Sequence, residues 1–364
     1  MNNHKMKLSH LDKQHELNKE LFEKPYLRQL FFELTLRCNE HCWHCGSRCG
    51  DVCSEEMGPE EWKDILDQVK ADFGPDLPQI NVTGGEPLLY PHFEEIMSYA
   101  NSLGFRWGMT SNATLITPEV AKMLARCGMG TISVSIDGLE ETHDRYRGKK
   151  NAYKDAMTGI QNLLNEGSFR SIMVTTVVNH ENMKELEELY EIMRGIDIDS
   201  WRVIGVEPIG RALDHPELEM TPEDQKNLLD FILAKRAENM PVTYGCSHYL
   251  GLDYEREVRD WYYICMAGVM VASITSKGEV TACLDIDRNQ PGVIQGNIHE
   301  RRFSDIWKNE FKIYRRDKSP DDEKCKTCES RKYCMGGACH SWDYVSNTQR
   351  VCIINDLKKA AHLA

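Results

Sequence analysis

The chain has 364 residues, more than one small domain needs and enough for a large core with an appendage. Its 57 acidic residues against 44 basic ones give a formal net charge of −13, which argues against a nucleic acid as the main ligand. No apolar run is long enough to span a membrane and the N-terminus lacks an apolar signal segment, so no membrane partner and a cytoplasmic location are expected.

In chain order, a polar arm over residues 1–27 precedes an alternation of short apolar strands and amphipathic helices over residues 28–238. The predicted strands are LRQLFFELTL from Leu27, PQINVT from Pro78, FRWGMTS from Phe105, GTISVSID from Gly130, SIMVTTVV from Ser171 and WRVIGVEP from Trp201. Between the first two, Trp62, Ile65, Leu66 and Val69 mark one face of a helix that Pro59 starts. Thr117, Pro118 and Gly128 bracket another helix, and Thr221 starts a third in the same way. Six strand–helix units in series predict an α/β fold with a parallel sheet and helices outside. Periodicity leaves a partial barrel and an open doubly wound sheet equally compatible. In both, ligands sit at the C-terminal ends of the strands. Beyond about residue 240 the helical pattern thins, and cysteines return at 246, 265, 283, 325, 328, 334, 339 and 352. Residues 239–364 are therefore read as a second, loop-rich region organised by metal.

Fourteen cysteines in a chain expected in a reducing compartment point to metal or redox chemistry rather than disulfides. Cys38, Cys42 and Cys45 follow a C-x3-C-x2-C spacing just after the first strand. Three thiolates on one tight loop hold three irons of a four-iron cluster and leave the fourth iron open. On spacing alone, a zinc site that borrows His44, Cys49 or Cys53 is the alternative. After the second strand comes TGGEP, containing Gly84, Gly85, Glu86 and Pro87. The cysteine loop and this Gly-Gly-Glu-Pro together resemble the radical S-adenosylmethionine (SAM) enzymes. The resemblance implies a partial (β/α)6 TIM-like barrel. It also implies that SAM chelates the open iron and is reductively cleaved to a 5′-deoxyadenosyl radical, which abstracts a hydrogen atom. By the same resemblance the Gly84–Pro87 loop receives the SAM amino group, and Ser111 and Asn112 contact the ribose. Ser135 faces the same mouth, and Arg147 neutralises the SAM carboxylate. His44 stands where the family often has an aromatic residue.

The late cysteines resemble in series the SPASM extension of these enzymes, which carries two auxiliary clusters. That implies one cluster on Cys325, Cys328, Cys334 and Cys352, and a second on Cys265, Cys283 and Cys339 with Cys246 as its candidate fourth ligand. SAM and three [4Fe–4S] clusters are the cofactors implied. Between Cys334 and Cys339 this chain has one residue more than the family's usual C-x3-C. Of the remaining thiols, Cys127 is expected to be a small buried hydrophobe, and Cys49 and Cys53 plain loop residues.

Enzymes with this extension mostly modify peptides, so the expected activity is maturation of a ribosomally made peptide. A small-molecule or haem-pathway substrate and sulfatase-type formylglycine formation are the alternatives. A non-catalytic iron–sulfur or zinc protein ranks last. Asp285 and Glu207 are the candidate acid–base residues. The short N-terminal arm leaves leader recognition to a separate protein or to another surface, and a flavodoxin or ferredoxin is the expected electron donor.

Overall fold

The computed structural model describes residues 3–51, 56–246 and 248–363. Strands β1 (Gln29–Thr35), β2 (Gln79–Gly84), β3 (Trp107–Ser111), β4 (Met129–Ser135), β5 (Ser171–Val178) and β6 (Ser200–Gly205) occupy the six predicted segments. They lie side by side in chain order and in parallel. That order decides between the two architectures left open by periodicity, because a doubly wound sheet reverses its strand order at a switch point. The chain therefore forms the singly wound, barrel-like alternative.

Four further strands extend the sheet: β7 (Val242–Tyr244) beside β6, and β8 (Val271–Ile274), β9 (Glu279–Thr281) and β10 (Gly296–Asn297) beyond β1. β8 runs parallel to β1, and β9 and β10 return antiparallel. Each is only two to four residues long, too short for a period-2 pattern to show in the sequence. The C-terminal region is thus joined to the barrel sheet through backbone hydrogen bonds.

The two faces of the sheet differ in chemistry. Leu30, Phe32, Ile80, Val82, Ile132, Val134, Val174 and Val203 are buried under the outer helices. Phe32 meets Trp62 of the Pro59–Phe73 helix with ring centroids 4.7 Å apart, and the predicted helical face Trp62, Ile65, Leu66 and Val69 is fully buried. Thr117 and Thr221 cap their helices through their side chains, as their spacing predicts. The opposite set mixes polar residues with the apolar Phe31, Met173 and Ile204. Glu33 pairs in register with Thr83, Ser135 with Thr175, Thr175 with Arg202, and Arg202 with Thr243. The polar members of this face offer hydrogen-bonding partners to a polar ligand.

The N-terminal arm forms a helix, Asn3–Glu23, and packs on the C-terminal region. Leu11 is buried with Tyr249 and Tyr263, Lys7 pairs with Glu257 at 2.7 Å, and Asp12 accepts from Lys332 and Tyr333.

Candidate functional site

The cysteine loop leaves β1 and is held from three sides. Its backbone donates from His41 N to Arg147 O and from Trp43 N to Tyr146 O, at the end of the Glu140–Arg147 helix. After β6, Arg211 donates to Cys42 O at 2.6 Å and Cys49 O at 2.8 Å, and its own N–H donates to Cys45 O. A Cβ on Gly210, which has a left-handed φ of 55°, would lie 2.3 Å from Cys45 O. Trp43 stacks on His215 with centroids 4.5 Å apart.

The TGGEP loop closes the fourth side. Gly85 N donates to Thr35 O and Glu86 N to Arg37 O. A Cβ on Gly84 would stand 2.1 Å from Thr35 O, and one on Gly85 2.0 Å from Arg37 O. The two glycines are therefore required by the backbone that leads into Cys38, whatever ligand the loop also meets. Glu86 is buried and ties this loop to the end of β3. It accepts from Ser111 Oγ at 2.9 Å and Asn112 N at 2.9 Å. Burial raises its carboxyl to about 7 despite those donors.

The remaining predicted SAM-facing residues divide. Ser111 Oγ also accepts from Ala113 N, and the Asn112 amide bonds Asn39 and Thr114, so both side chains are engaged within the protein. Ser135 is half-buried at the end of β4, and among the described residues no side-chain hydrogen bond engages its hydroxyl. Arg147 is buried against Asp137 at 2.5 Å, Glu40 at 3.4 Å and Cys42 Sγ at 3.5 Å. These groups already partner its charge without any ligand. His44 completes the cluster at 3.2 Å from Asp137. Asp137 stays ionised: burial opposes its charge, and Arg147 and His44 outweigh burial.

Cys38, Cys42 and Cys45 lie within electrostatic reach of one another. Burial pushes Cys38 up to about 11 and Cys42 higher still, whereas hydrogen bonds from Cys49 hold Cys45 low. Cys49 itself donates to Gly84 O at 3.3 Å, so it braces the two loops. Cys53 lies outside the described residues. Cys127 is buried beside Ser98, as expected.

The late cysteines fall into two groups. Cys325, Cys328, Cys334 and Cys352 line one cavity of about 570 Å³. Cys339 N donates to Cys265 Sγ at 3.4 Å, and Cys283 feels the charge of Cys339. Lys318, which sequence reasoning missed, lies between the groups. It is 3% exposed, its Nζ donates to Gly337 O at 3.1 Å, and Cys339 Sγ is 3.6 Å away. Met335, Gly336 and Gly337 all have left-handed φ, and a Cβ on Gly336 would strike Lys318 Cβ at 2.7 Å. The extra residue between Cys334 and Cys339 lies in the turn that wraps this lysine.

Cys246 is buried against Gly205, Glu207, Arg202 and Tyr244 at the ends of β6 and β7. Near it, Glu207 meets His248 at 2.5 Å and His340 at 3.5 Å. Both histidines outweigh burial and keep Glu207 well below the usual carboxylate range. Asp285 stands 3.7 Å from Cys283 Sγ, and its other oxygen is 3.6 Å from the Cβ position of Gly46, so it bridges the two ends of the mouth. Arg202 projects inward from β6 and donates to Thr175 Oγ1 at 3.0 Å. Among the described residues no carboxylate forms an ion pair with it, and the charge of Asp285 reaches it.

These features fit iron–sulfur clusters. Buried thiols that resist ionisation on their own become thiolates when metal supplies the compensating charge. A cavity walled by four cysteines also suits a cluster better than an apolar ligand.

Comparison with known proteins gives the same answer. The radical SAM superfamily model matches residues 32–193, and the SPASM iron-sulfur cluster-binding domain matches residues 265–329. The AdoMet-dependent heme synthase of Methanosarcina barkeri (strain Fusaro / DSM 804) is 30% identical over 85% of this chain and 90% of its own length. The mycofactocin maturase MftC of Mycolicibacterium smegmatis is 29% identical over 85% of this chain and 77% of its own. Streptococcus suis SuiB bound to its precursor peptide SuiA shares the fold with a TM-score of 0.70 at 18% identity, over 90% of this chain and 76% of that one. No helix among the described residues is long and apolar enough to cross a membrane. The chain belongs to the radical SAM superfamily of iron–sulfur, SAM-dependent enzymes and carries the SPASM extension.

Proposed function

We propose that this enzyme abstracts a hydrogen atom from a peptide and matures it oxidatively, by a crosslink, a thioether or a related change. The observation that carries the radical chemistry is the Cys38, Cys42 and Cys45 loop, half-buried and locked against Gly84–Pro87. When bound there, a cluster supplies the electron that cleaves SAM reductively. The chain's own residues then have distinct tasks in this reading. Gly84, Gly85, Glu86 and Pro87 present backbone oxygens to SAM, with Ser111, Asn112 and Ser135 along its ribose side. Arg147 and Arg211 fix the cysteine loop. Cys325, Cys328, Cys334 and Cys352 would hold one auxiliary cluster, and Cys265, Cys283 and Cys339, with Cys246 as candidate fourth ligand, a second; with the SAM cluster this makes three, and the auxiliary pair would supply the electron acceptor of an oxidative outcome. Asp285 is the candidate base between the two ends of the mouth. A flavodoxin or ferredoxin delivers electrons, and a separate protein presents the peptide leader.

Peptide maturation is supported by the likeness to a maturase and by the fold shared with peptide-bound SuiB. A second reading, an iron tetrapyrrole substrate, is favoured by the 30% identity with a heme synthase. Both readings put an anionic or polar substrate beside Arg202. The test is anaerobic reconstitution followed by dithionite reduction with SAM. Release of 5′-deoxyadenosine is expected, and its absence from an iron-replete sample overturns both readings. Mass spectrometry of a co-expressed precursor peptide, and of added iron coproporphyrin, then separates them. A mass change in the porphyrin and none in the peptide refutes peptide maturation.

A further inference from the structure

Three donors from three separate elements meet beyond the C-terminal end of the sheet. Glu207 follows β6, His248 follows β7, and His340 follows Cys339. One ligand atom from each lies within 4.8 Å of the others. His248 Nε2 and His340 Nε2 approach the same Glu207 oxygen, and the two rings meet edge to face at 5.6 Å. His248 is 2% exposed, and the side chains of Glu207 and His340 are each 12% exposed.

Hydrogen bonding alone leaves this group incomplete. The second oxygen of Glu207 and Nε2 of His340 are both buried without a hydrogen-bond partner. Buried orphans of this kind are rare in native proteins, and the common explanation is a missing water or ion. A cation among the three groups would satisfy both orphans at once. The donor set also selects the cation. Two imidazoles and one carboxylate suit zinc or ferrous iron, and they offer too few hard oxygens for calcium or magnesium.

We propose that Glu207, His248 and His340 bind a single divalent transition-metal ion, separate from the iron held by cysteines. Three protein ligands leave a coordination position open. The site borders the mouth that holds Cys246 and Arg202, and His248 also faces the large cysteine-lined cavity. The open position therefore suits an oxygen donor of the substrate, a carbonyl or a carboxylate. This inference rests on the chain's own side chains and stands whichever substrate is correct.

The test uses the anaerobically reconstituted holoenzyme, desalted and titrated with zinc ion alone. Wild type should retain about one zinc per chain, with an X-ray absorption first shell of nitrogen and oxygen at about 2.0–2.1 Å. His248→Gln and His340→Gln should each weaken zinc binding by at least the ~10–100-fold that an outer-shell change already costs, with cluster iron and visible absorbance unchanged. Zinc should raise the unfolding temperature of wild type and not of the variants, a comparison that reports on the site even if one substitution perturbs folding. A sulfur-dominated shell, or equal retention by wild type and both variants, overturns the proposal. So does an absence of zinc retention by wild type.

Discussion

Replacing Lys318 with methionine should lower the reduction potential of the iron held by the C-terminal cysteines. The lysine is 3% exposed, and among the described residues no carboxylate pairs with it. Burial alone would favour its neutral form. The charges of Cys339, Cys265 and Cys334 override that and keep it an ammonium. A positive charge beside a cluster stabilises the reduced, more negative state, so its loss makes reduction harder. Two unit charges at the observed 3.6 Å interact by about 4–5 kcal/mol at an effective dielectric of about 20. An added electron spreads over the whole cluster, which roughly halves that figure to ~2 kcal/mol, or on the order of 80 mV for one electron. The assay is a potentiometric titration of reconstituted enzyme followed by electron paramagnetic resonance. Signals from the Cys38, Cys42 and Cys45 cluster serve as the internal control, and Lys318→Arg keeps the charge. Auxiliary potentials that stay unchanged at full iron content, or an equal shift in every signal, would refute the electrostatic reasoning.

Cys42→Ala should abolish 5′-deoxyadenosine release and remove about one cluster's iron, whereas Cys53→Ala should leave release intact; equal loss in both folded variants would contradict the division of thiols. Glu86 offers a pH test, since its carboxyl sits near 7 in the folded protein against 4.5 when unfolded. The folded state takes up this proton first, so Glu86 carries a penalty above about pH 7 that is relieved as pH falls from about 7 to 4.5. Glu86→Gln should remove that relief, a difference on the order of 3 kcal/mol between the two pH limits; urea unfolding that shows the same pH slope for both proteins would exclude it. Arg202→Gln should slow substrate modification by roughly 10–100-fold, the worth of one charge-assisted hydrogen bond, while SAM cleavage without substrate continues. An unchanged modification rate, measured by mass spectrometry, would mean that the guanidinium does not meet the substrate.

What the sequence made legible was local. Trp62, Ile65, Leu66 and Val69 announce a buried face because their spacing repeats every helical turn, and all four are buried. Thr117 and Thr221 announce their helix starts for a similar reason. The cysteine spacings are legible because a tight loop keeps its ligands close in sequence. The groups that sequence reading missed act across the fold. Arg211 and Cys42 are 169 residues apart, Arg288 and Glu33 are 255 apart, and no period connects them. Strands β8 to β10 were hidden because they are shorter than a pattern needs.

Gly84, Gly85 and Arg147 each have a structural duty that their motif does not name. At Gly84 and Gly85, Thr35 O and Arg37 O leave no room for a Cβ, whatever ligand the loop also meets. Arg147, the implied neutraliser of the SAM carboxylate, is also surrounded by Asp137, Glu40 and Cys42. All three residues therefore shape the cysteine loop. Breaking a buried ion pair by removing one partner costs about 3–5 kcal/mol, so substitution of Arg147 would disturb the loop before it affected any ligand. A loss of SAM binding in an Arg147 variant therefore does not by itself identify a SAM contact. Iron content must be measured on the same sample: a contact role leaves iron intact, and a loop-holding role loses it together with SAM.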